Sequence, residues 1–391
     1  MSRIIELTPT VELELVLATV SLNPSMQHRI FEILGGTLDW SQVLRIALQQ
    51  GILPLFLKRL MLLVEKQTPP GDLTLWSEAF KANTQSNIRL TWKLVECVEL
   101  LSTNGIDCII LKGPALAVQA YGDLSLRQFS DLDILIHSID FPKVYDLLVH
   151  NGYAPTFKLE KNQKKYVVWS NNHFSFNRLG DIIEVHWEIA PYENIHPLSS
   201  EEMWQNLDSI QIFDTNFSTL SLKNTILYTC LHGAKHGWKQ LKWIVDLAYL
   251  CRSLSESALL DLLEHAKRKG LFRQVCLGLL LAENLVDTKF PSECLKHISA
   301  DSYTQLLVSQ VKAGLFAISN KPSIIKDYLF YLKSRERWQD RLYYLYALII
   351  IPKQPDWLMI SLPENLYFLY CFIRPIRLLY IGGKAAISAL N

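Results

Sequence analysis

Residues 111–136 read LKGPALAVQAYGDLSLRQFSDLDILI, and this stretch decides the fold. Its end, from Ser130 to Ile136, is predicted to be a strand in which Asp131 and Asp133 project from one face. A hard ion such as Mg²⁺ takes oxygen ligands, usually from one or two carboxylates together with substrate phosphates. Such an ion can polarise a phosphoryl group. Phosphoryl or nucleotidyl transfer is therefore the first hypothesis, and a solvated strand end is the alternative for so short a pattern.

The residues before this strand predict an anion site. Ile106 to Leu111 is a short apolar run, Lys112-Gly113-Pro114 is a turn, and Ala115 to Tyr121 has helical periodicity. A strand, a glycine turn and a helix N-terminus together present backbone N–H groups and the positive end of the helix dipole to a ligand. Lys112 adds a mobile cation at the same place.

This order of elements resembles the nucleotidyltransferase superfamily with the DNA polymerase beta-like core, and within it a bacterial nucleotidyltransferase-like family. The resemblance covers most of the chain from about residue 40 onward. Besides the Lys-Gly turn and the Asp-x-Asp strand, it rests on three later motifs, IIEVHWE at 182–188, LHGAKHGW at 231–238 with WIVD at 243–246, and FIRP at 372–375.

The resemblance implies a role for particular residues. It assigns Gly113 to the phosphate turn, Asp131 and Asp133 to the metal, and Glu184 to a third carboxylate position, with Mg²⁺ or Mn²⁺ as cofactor. The implied reaction moves a nucleoside monophosphate from a nucleoside triphosphate to an unknown small-molecule, peptide or protein acceptor. Pro114 removes one backbone donor from the turn, and Glu184 replaces the usual Asp. A degenerate nucleotide-binding protein serving a biosynthetic assembly is therefore an alternative, and a helical interaction protein with a structural acidic cluster is another.

The strand predicted from Ile182 to Ile189 can be interpreted without the family. Alternation places Glu184, His186 and Glu188 on one face. Glu184 could complete a metal site and accept a proton from an attacking hydroxyl. A half-exposed antiparallel strand would show the same alternation, so a solvated face is the alternative for His186 and Glu188.

Two residues before the dyad are further candidates. Arg127 offers a planar fork that suits phosphate oxygens, and Ser130 could orient a metal-bound carboxylate. For Arg127 the alternative is a solvated loop side chain. Both are predicted to contact the nucleotide or its metal.

The stretch from Leu231 to Tyr249 places His232, His236, Lys239, Trp243 and Asp246 at helical spacing. These side chains could form a wall of the nucleotide site that contacts phosphates and stacks on a base. Zinc binding by the two histidines and a purely structural role in the core are the alternatives. Asp246 is expected to pair with a Lys or His.

Composition bounds the remaining possibilities. The 391 residues include 39 basic and 38 acidic side chains, so the net charge of +1 gives no support for nucleic acid as the main partner. Seven cysteines form no Cys-x-x-Cys pair and are expected to be reduced core thiols. The first residues have no long apolar signal region, which favours the cytoplasm.

We expect an α+β fold, with a small mixed-sheet core between helical flanks. The predicted segments are helical residues 1–103, an α/β core at 104–215 and a larger helical domain at 216–391. Within the core, 141–151 is predicted to be a helix and 165–176 a strand. The apolar runs 343–351 and 366–373 fall short of the ~20 residues of a spanning helix. They are expected to be core helices, although 367–380 could rest on a bilayer surface.

Overall fold

The computed structural model describes residues 9–64, 73–190, 198–316, 324–360 and 362–390. Its strands are β1 (Cys108–Ile110), β2 (Asp131–Ile136), β3 (Ala154–Pro155), β4 (His173–Arg178), β5 (Asp181–His186), β6 (Leu207–Ile212) and β7 (Thr215–Leu220). Its first nine helices are α1 (Val11–Val20), α2 (Met26–Leu34), α3 (Trp40–Gln49), α4 (Leu53–Val64), α5 (Leu73–Thr103), α6 (Pro114–Tyr121), α7 (Phe141–His150), α8 (Lys161–Ser170) and α9 (Ser200–Gln205).

The helices after β7 are α10 (Leu222–Lys235), α11 (Leu241–Cys251), α12 (Glu256–Lys269), α13 (Phe272–Val286), α14 (Ser292–Ser299), α15 (Ser302–Phe316), α16 (Ile324–Ser334), α17 (Trp338–Ile350), α18 (Gln354–Met359) and α19 (Tyr370–Leu390). Short 3-10 turns lie at Leu124–Leu126, Ser138–Asp140 and Glu364–Leu369. No strand follows Leu220 in the part of the chain that the structure describes.

The seven strands form one sheet in the order β3-β4-β5-β2-β1-β7-β6. β1 and β7 are parallel, with Ile110 opposite Thr219, whereas β3–β4, β4–β5 and β6–β7 are antiparallel. The sheet is therefore mixed, and helices precede and follow it along the chain. The expected α+β fold class is confirmed.

The strand, turn and helix around the glycine turn form as predicted, and so does the 141–151 helix, as α7. The strand predicted at 165–176 is wrong over its first half, because α8 occupies Lys161–Ser170 and β4 begins only at His173. The backbone N–H of Glu160 donates to the Gln163 side chain at 2.9 Å, a contact that begins a helix. Within the apolar Tyr-Val-Val-Trp run, Tyr166 and Val167 are buried and supply the packing face of α8, whereas Trp169 is exposed.

The chain divides into two compact units, each built from separate stretches. The first comprises 1–97, 110–132 and 206–336. Its core packs around the ring of Trp238. A Cβ atom added to Gly233 would lie only 2.7 Å from this ring, and one added to Gly278 only 2.9 Å from it. These two glycines allow α10 and α13 to approach the indole.

The second unit comprises 98–109, 133–205 and 337–391. Its core is aromatic: the rings of Phe141 and Trp187 lie 4.6 Å apart, and Tyr145 and Phe174 pack beside them. The indole N–H of Trp187 donates to the carbonyl oxygen of Asn171 at 2.7 Å, which satisfies the one polar atom of this buried side chain.

The seven cysteines are all free, and five of them are buried. Burial raises the pKa of Cys108 and of Cys251 to about 12, so neither thiol is activated. Among the described residues, we find no helix that combines the length and the apolar character needed to span a bilayer.

Candidate functional site

Three side chains from two strands form a compact group, which we term the ligand cluster: Asp133 on β2 and Glu184 and His186 on β5. The Nε2 atom of His186 lies 3.0 Å from Asp133 Oδ1 and 3.4 Å from Glu184 Oε2. One ligand atom from each residue lies within 4.8 Å of the others. Two carboxylates and an imidazole at this spacing could hold a divalent metal ion.

Alternation along β5 places Glu184 and His186 on one face, as the sequence pattern predicted. In the β4–β5 pair, His173 lies opposite His186, and the two rings stack with centroids 4.9 Å apart. His186 is buried, so the solvated-face alternative is wrong for this residue. Glu188 lies beyond the end of β5, where its carboxylate accepts a hydrogen bond from the Ser200 hydroxyl at 3.1 Å.

The surroundings of Glu184 act on its pKa in opposite directions. The hydrogen bond from His186 holds the pKa of Glu184 below its usual value, and His173 contributes in the same direction. Burial and the Asp133 carboxylate act to raise that pKa. Glu184 is therefore anionic near neutral pH, as a metal ligand must be.

Asp131 and Ser130 belong to the beginning of β2. Asp131 is the first residue of the strand and half-buried, and the pleat directs it to the same side of β2 as Asp133. Ser130 precedes the strand and is exposed. Their predicted contacts with the metal and the nucleotide stay predictions.

The glycine turn depends on the backbone of Gly113, which has φ +54° and ψ −119°, a region that L side chains rarely adopt. Pro114 then opens α6 without an N–H group. The N–H of Ala115 donates to the Lys112 carbonyl oxygen and that of Ala117 to the Gly113 carbonyl oxygen, both at 3.1 Å. Three of the four positions from 114 to 117 thus lack an N–H group or already use it. Phosphate binding here would depend largely on cationic side chains.

Next to this turn, α6, α10 and α11 enclose a basic recess of about 310 Å³, open solvent included. It is lined by Leu111, Lys112, Leu116, Arg127, Thr225, Tyr228, Thr229, His232, Trp243 and Asp246. The Lys112 ammonium lies 5.4 Å from the centre of the Tyr228 ring, a cation–π distance. Lys112 is thus held at the edge of the recess.

Arg127 forms a buried ion pair in this recess rather than a solvated loop contact. Its Nε–H donates to both Asp246 oxygens, at 3.0 Å and 3.2 Å, and the Tyr121 hydroxyl donates to the same carboxylate at 2.7 Å. The expectation that Asp246 pairs with a Lys or His is therefore wrong. Burial, followed by the Asp246 charge, raises the pKa of Tyr121 well above its usual value, so this hydroxyl stays protonated.

The predicted stripe from His232 to Asp246 does not lie on one helix. α10 ends at Lys235, Gly237 turns the chain with φ +63°, and α11 begins at Leu241. The turn nevertheless brings the rings close together. The ring centroid of His232 lies 4.6 Å from that of His236 and 5.4 Å from that of Trp243. In the described part of the chain, Asp133, Glu184 and His186 form the only metal-ligand group of three or more, so the zinc alternative for this histidine pair gains no support.

The charge of the recess side is mainly positive. Partial removal from water, followed by the charges of Lys235 and Lys112, lowers the pKa of His236 to about 4, although the residue as a whole is still exposed. Burial and the Arg127 charge also lower the pKa of Lys242. A phosphate group would relieve this repulsion.

Sequence reasoning missed Tyr121, His173 and Lys242. Tyr121 and His173 make their contacts through partners 125 and 13 residues away along the chain, which no local pattern reveals. Lys242 lies in the first turn of α11, three residues after Lys239, and this local density of lysines was the available signal.

Comparison with known proteins adds a family. Residues 36–287 match the model of a family described as "Uncharacterised nucleotidyltransferase". Among solved structures, the chain is similar to an antigenic nucleotidyltransferase-like protein from Paracoccidioides brasiliensis, at 15% identity over 56% of this chain and 92% of that chain, with a TM-score of 0.29. No curated protein matches. The matched range contains the ligand cluster and the basic recess, while the 372–375 motif lies outside it.

Proposed function

Because this chain belongs to the uncharacterised nucleotidyltransferase family, we propose that it transfers a nucleoside monophosphate from a nucleoside triphosphate to an acceptor hydroxyl or phosphate. The observation that supports this most is the ligand cluster of Asp133, Glu184 and His186, which lies on two strands within the matched range. Nucleotidyl transfer needs a divalent metal to neutralise the triphosphate, and these side chains fit one.

We assign the metal to Asp131, Asp133 and Glu184, with His186 as a neighbouring nitrogen donor. Mg²⁺ or Mn²⁺, when bound, would polarise the α-phosphate and stabilise the charge that develops on pyrophosphate. Mg²⁺ prefers an all-oxygen shell, whereas imidazole suits later divalent metals better. If His186 enters the coordination shell, Mn²⁺ is the favoured ion of the two.

The bond changes are those of an in-line displacement. The acceptor oxygen forms a bond to the α-phosphorus while the bond between that phosphorus and the oxygen bridging to the β-phosphate breaks, and pyrophosphate leaves. The acceptor proton must pass to a base. Glu184, anionic and hydrogen-bonded to His186, is the proposed acceptor of that proton.

We propose that Lys112 binds the phosphates and that Gly113 allows the backbone to approach them closely. His232 and His236 are proposed to contact the nucleotide from the recess wall. Arg127 is proposed to act indirectly. Its Nε–H donates to Asp246 on α11, and this contact holds the recess wall in place. Ser130 is proposed to orient the carboxylates of β2.

The experiment that tests this proposal uses labelled ATP, GTP, CTP and UTP with Mg²⁺ or Mn²⁺ and a cell lysate as the source of acceptor. The parent protein should transfer label to an acceptor and release pyrophosphate, and Asp133→Asn should not. A matched control is Asp208→Asn, which changes a carboxylate on β6. Pyrophosphate release that persists in Asp133→Asn would refute the mechanism.

One observation favours a second candidate, nucleotide binding without turnover. The glycine turn offers few backbone donors, because Pro114 has none and Ala115 and Ala117 use theirs. Calorimetry separates the two functions: metal-dependent nucleotide binding with no label transfer and no pyrophosphate release would support the second.

A further inference from the structure

Two helices near the carboxyl end expose apolar side chains and bury polar ones. On α17 the exposed apolar residues recur at helical spacing along one face, Trp338, Leu342, Leu345, Tyr346 and Ile349. On α19 the same pattern recurs with Phe372, Ile376, Leu379 and Tyr380. The two helices pack against each other within the second unit. We call these nine side chains the outer apolar face.

Buried ion pairs explain this inverted arrangement. Arg374 is buried on the inner side of α19, where its guanidinium donates to Asp356 at 3.0 Å and to the Leu348 carbonyl oxygen at 2.7 Å. Arg377 donates to the other oxygen of Asp356. With these charges held inside, the side of α19 that remains is apolar. The FIRP motif thus contributes an internal arginine, and the expectation that both runs are core helices is wrong for their outer sides.

An apolar face of this size is unfavourable in water and marks a surface that binds something. The charged residues around the outer apolar face indicate which kind of partner it binds. Both carboxylates whose side chains are described between 338 and 381, Asp340 and Asp356, are buried. Arg337 is exposed beside this face, and Arg341 and Lys353 are half-buried. Residues 337–391 carry six basic and three acidic residues, a net charge of +3, whereas the whole chain has +1.

Exposed Trp and Tyr side chains complete the pattern. Trp338, Tyr346 and Tyr380 each combine an apolar ring with a polar atom, as side chains at a membrane–water boundary do. A helix that lies in the interface needs an apolar face, flanking cations and no exposed anion. α17 meets these conditions, with Arg337 and Arg341 at its beginning, and α19 adds apolar side chains and carries no acidic residue.

We propose that α17 and α19 dock the protein onto an anionic lipid bilayer, with the outer apolar face in the interfacial region. This surface contact is independent of nucleotidyl transfer. It would place the protein beside acceptors that are themselves held at a membrane.

The test is flotation of the full-length protein with vesicles of phosphatidylcholine alone or mixed with phosphatidylserine. The parent should float with the mixed vesicles, less so at high salt, and much less with phosphatidylcholine alone. A double variant, Leu342→Glu with Leu379→Glu, should lower the partition at least about tenfold, because it places two charges in the apolar interface.

The matched control is Leu179→Glu, which changes a leucine that is 94% exposed in the β4–β5 turn. This control should float like the parent, and circular dichroism should show that both variants fold. Light scattering gives the oligomeric state of the parent. Failure to float with mixed vesicles, or equal flotation with both compositions, overturns the proposal. So does a dimer that the double variant dissociates, because the face would then bind a second copy.

Discussion

Replacing Asp246 by Asn should destabilise the protein strongly, because it leaves the Arg127 guanidinium buried without its counter-charge. The two side chains are 6% and 1% exposed, so solvent cannot replace the lost partner. Breaking a buried ion pair by changing one member costs about 3–5 kcal/mol. The Tyr121 hydroxyl can still donate to the Asn amide oxygen, which places the expected loss near the lower end, about 3 kcal/mol.

Urea unfolding followed by tryptophan fluorescence and by circular dichroism measures this loss, and coincidence of the two transitions checks that a single free energy applies. The control is Asp327→Asn, which breaks an exposed ion pair with Lys239. The Lys239 side chain is 54% exposed and the Asp327 side chain is 39% exposed. That change should cost less than about 1 kcal/mol. The double variant Arg127→Met with Asp246→Leu should be more stable than Asp246→Asn, because no charge is left buried and unpaired.

The result that would refute this reasoning is a free energy of unfolding for Asp246→Asn equal to that of Asp327→Asn. A second contrary result would be Arg127→Met weakening nucleotide binding with no loss of stability. Arg127 would then contact phosphate directly, and the ion pair would contribute little to the fold.

Three further predictions follow from the site. Asp133→Asn should lower Mn²⁺ affinity at least about tenfold in paramagnetic resonance titrations, since an anionic ligand is lost; equal affinity would exclude this carboxylate from the metal. In nuclear magnetic resonance titrations, the pKa of His236 should lie below the ordinary value of about 6.5. Since the unfolded chain binds this proton more readily, the free energy of unfolding should fall as the pH drops from about 6.5 towards about 4. A titration midpoint of His236 above about 6.5 would contradict this. Gly113→Ala should cost about 1–3 kcal/mol, because its backbone is strained for any L side chain, whereas Gly36→Ala, without a positive φ, should cost less than about 1 kcal/mol.

Local sequence periodicity predicts the parts of the site that lie within one element. The strand, turn and helix around Gly113 follow from apolar spacing and a single glycine, and Glu184 and His186 share a face because alternation in a strand is rigid. The three proposed domain segments stay predictions. α8 shows the limit, because a short apolar run suits a strand and a helix face equally well.

What pairs across the chain could not be predicted. Asp133 and His186 are 53 residues apart and Arg127 and Asp246 are 119 apart. Their contacts depend on strand order and helix packing, which no local pattern encodes. The sequence suggests Arg127 as a phosphate ligand, whereas its burial beside Asp246 is the basis of our proposal that it supports the recess wall. Similarly, the β6–β7 hairpin is turned by Phe213 at φ +53°, without the Asn-Gly or Asp-Gly pair that signals such a turn.

The N-terminal helices show no chemistry in the sequence, yet they support the helix that carries Asp246. The backbone N–H groups of Leu241 and Lys242, at the beginning of α11, donate to the side chain and the carbonyl oxygen of Gln50 at 2.8 Å and 3.0 Å. These are two of the donors that a helix N-terminus leaves without an internal partner. Gly51 follows with φ +70°, and a Cβ there would lie 2.6 Å from the Lys242 side chain. The turn after α3 is thus shaped to receive α11. A fragment beginning at 104 would lack both acceptors, and the recess wall would lose its support. The contact lies within residues 36–287, the range that matches the family.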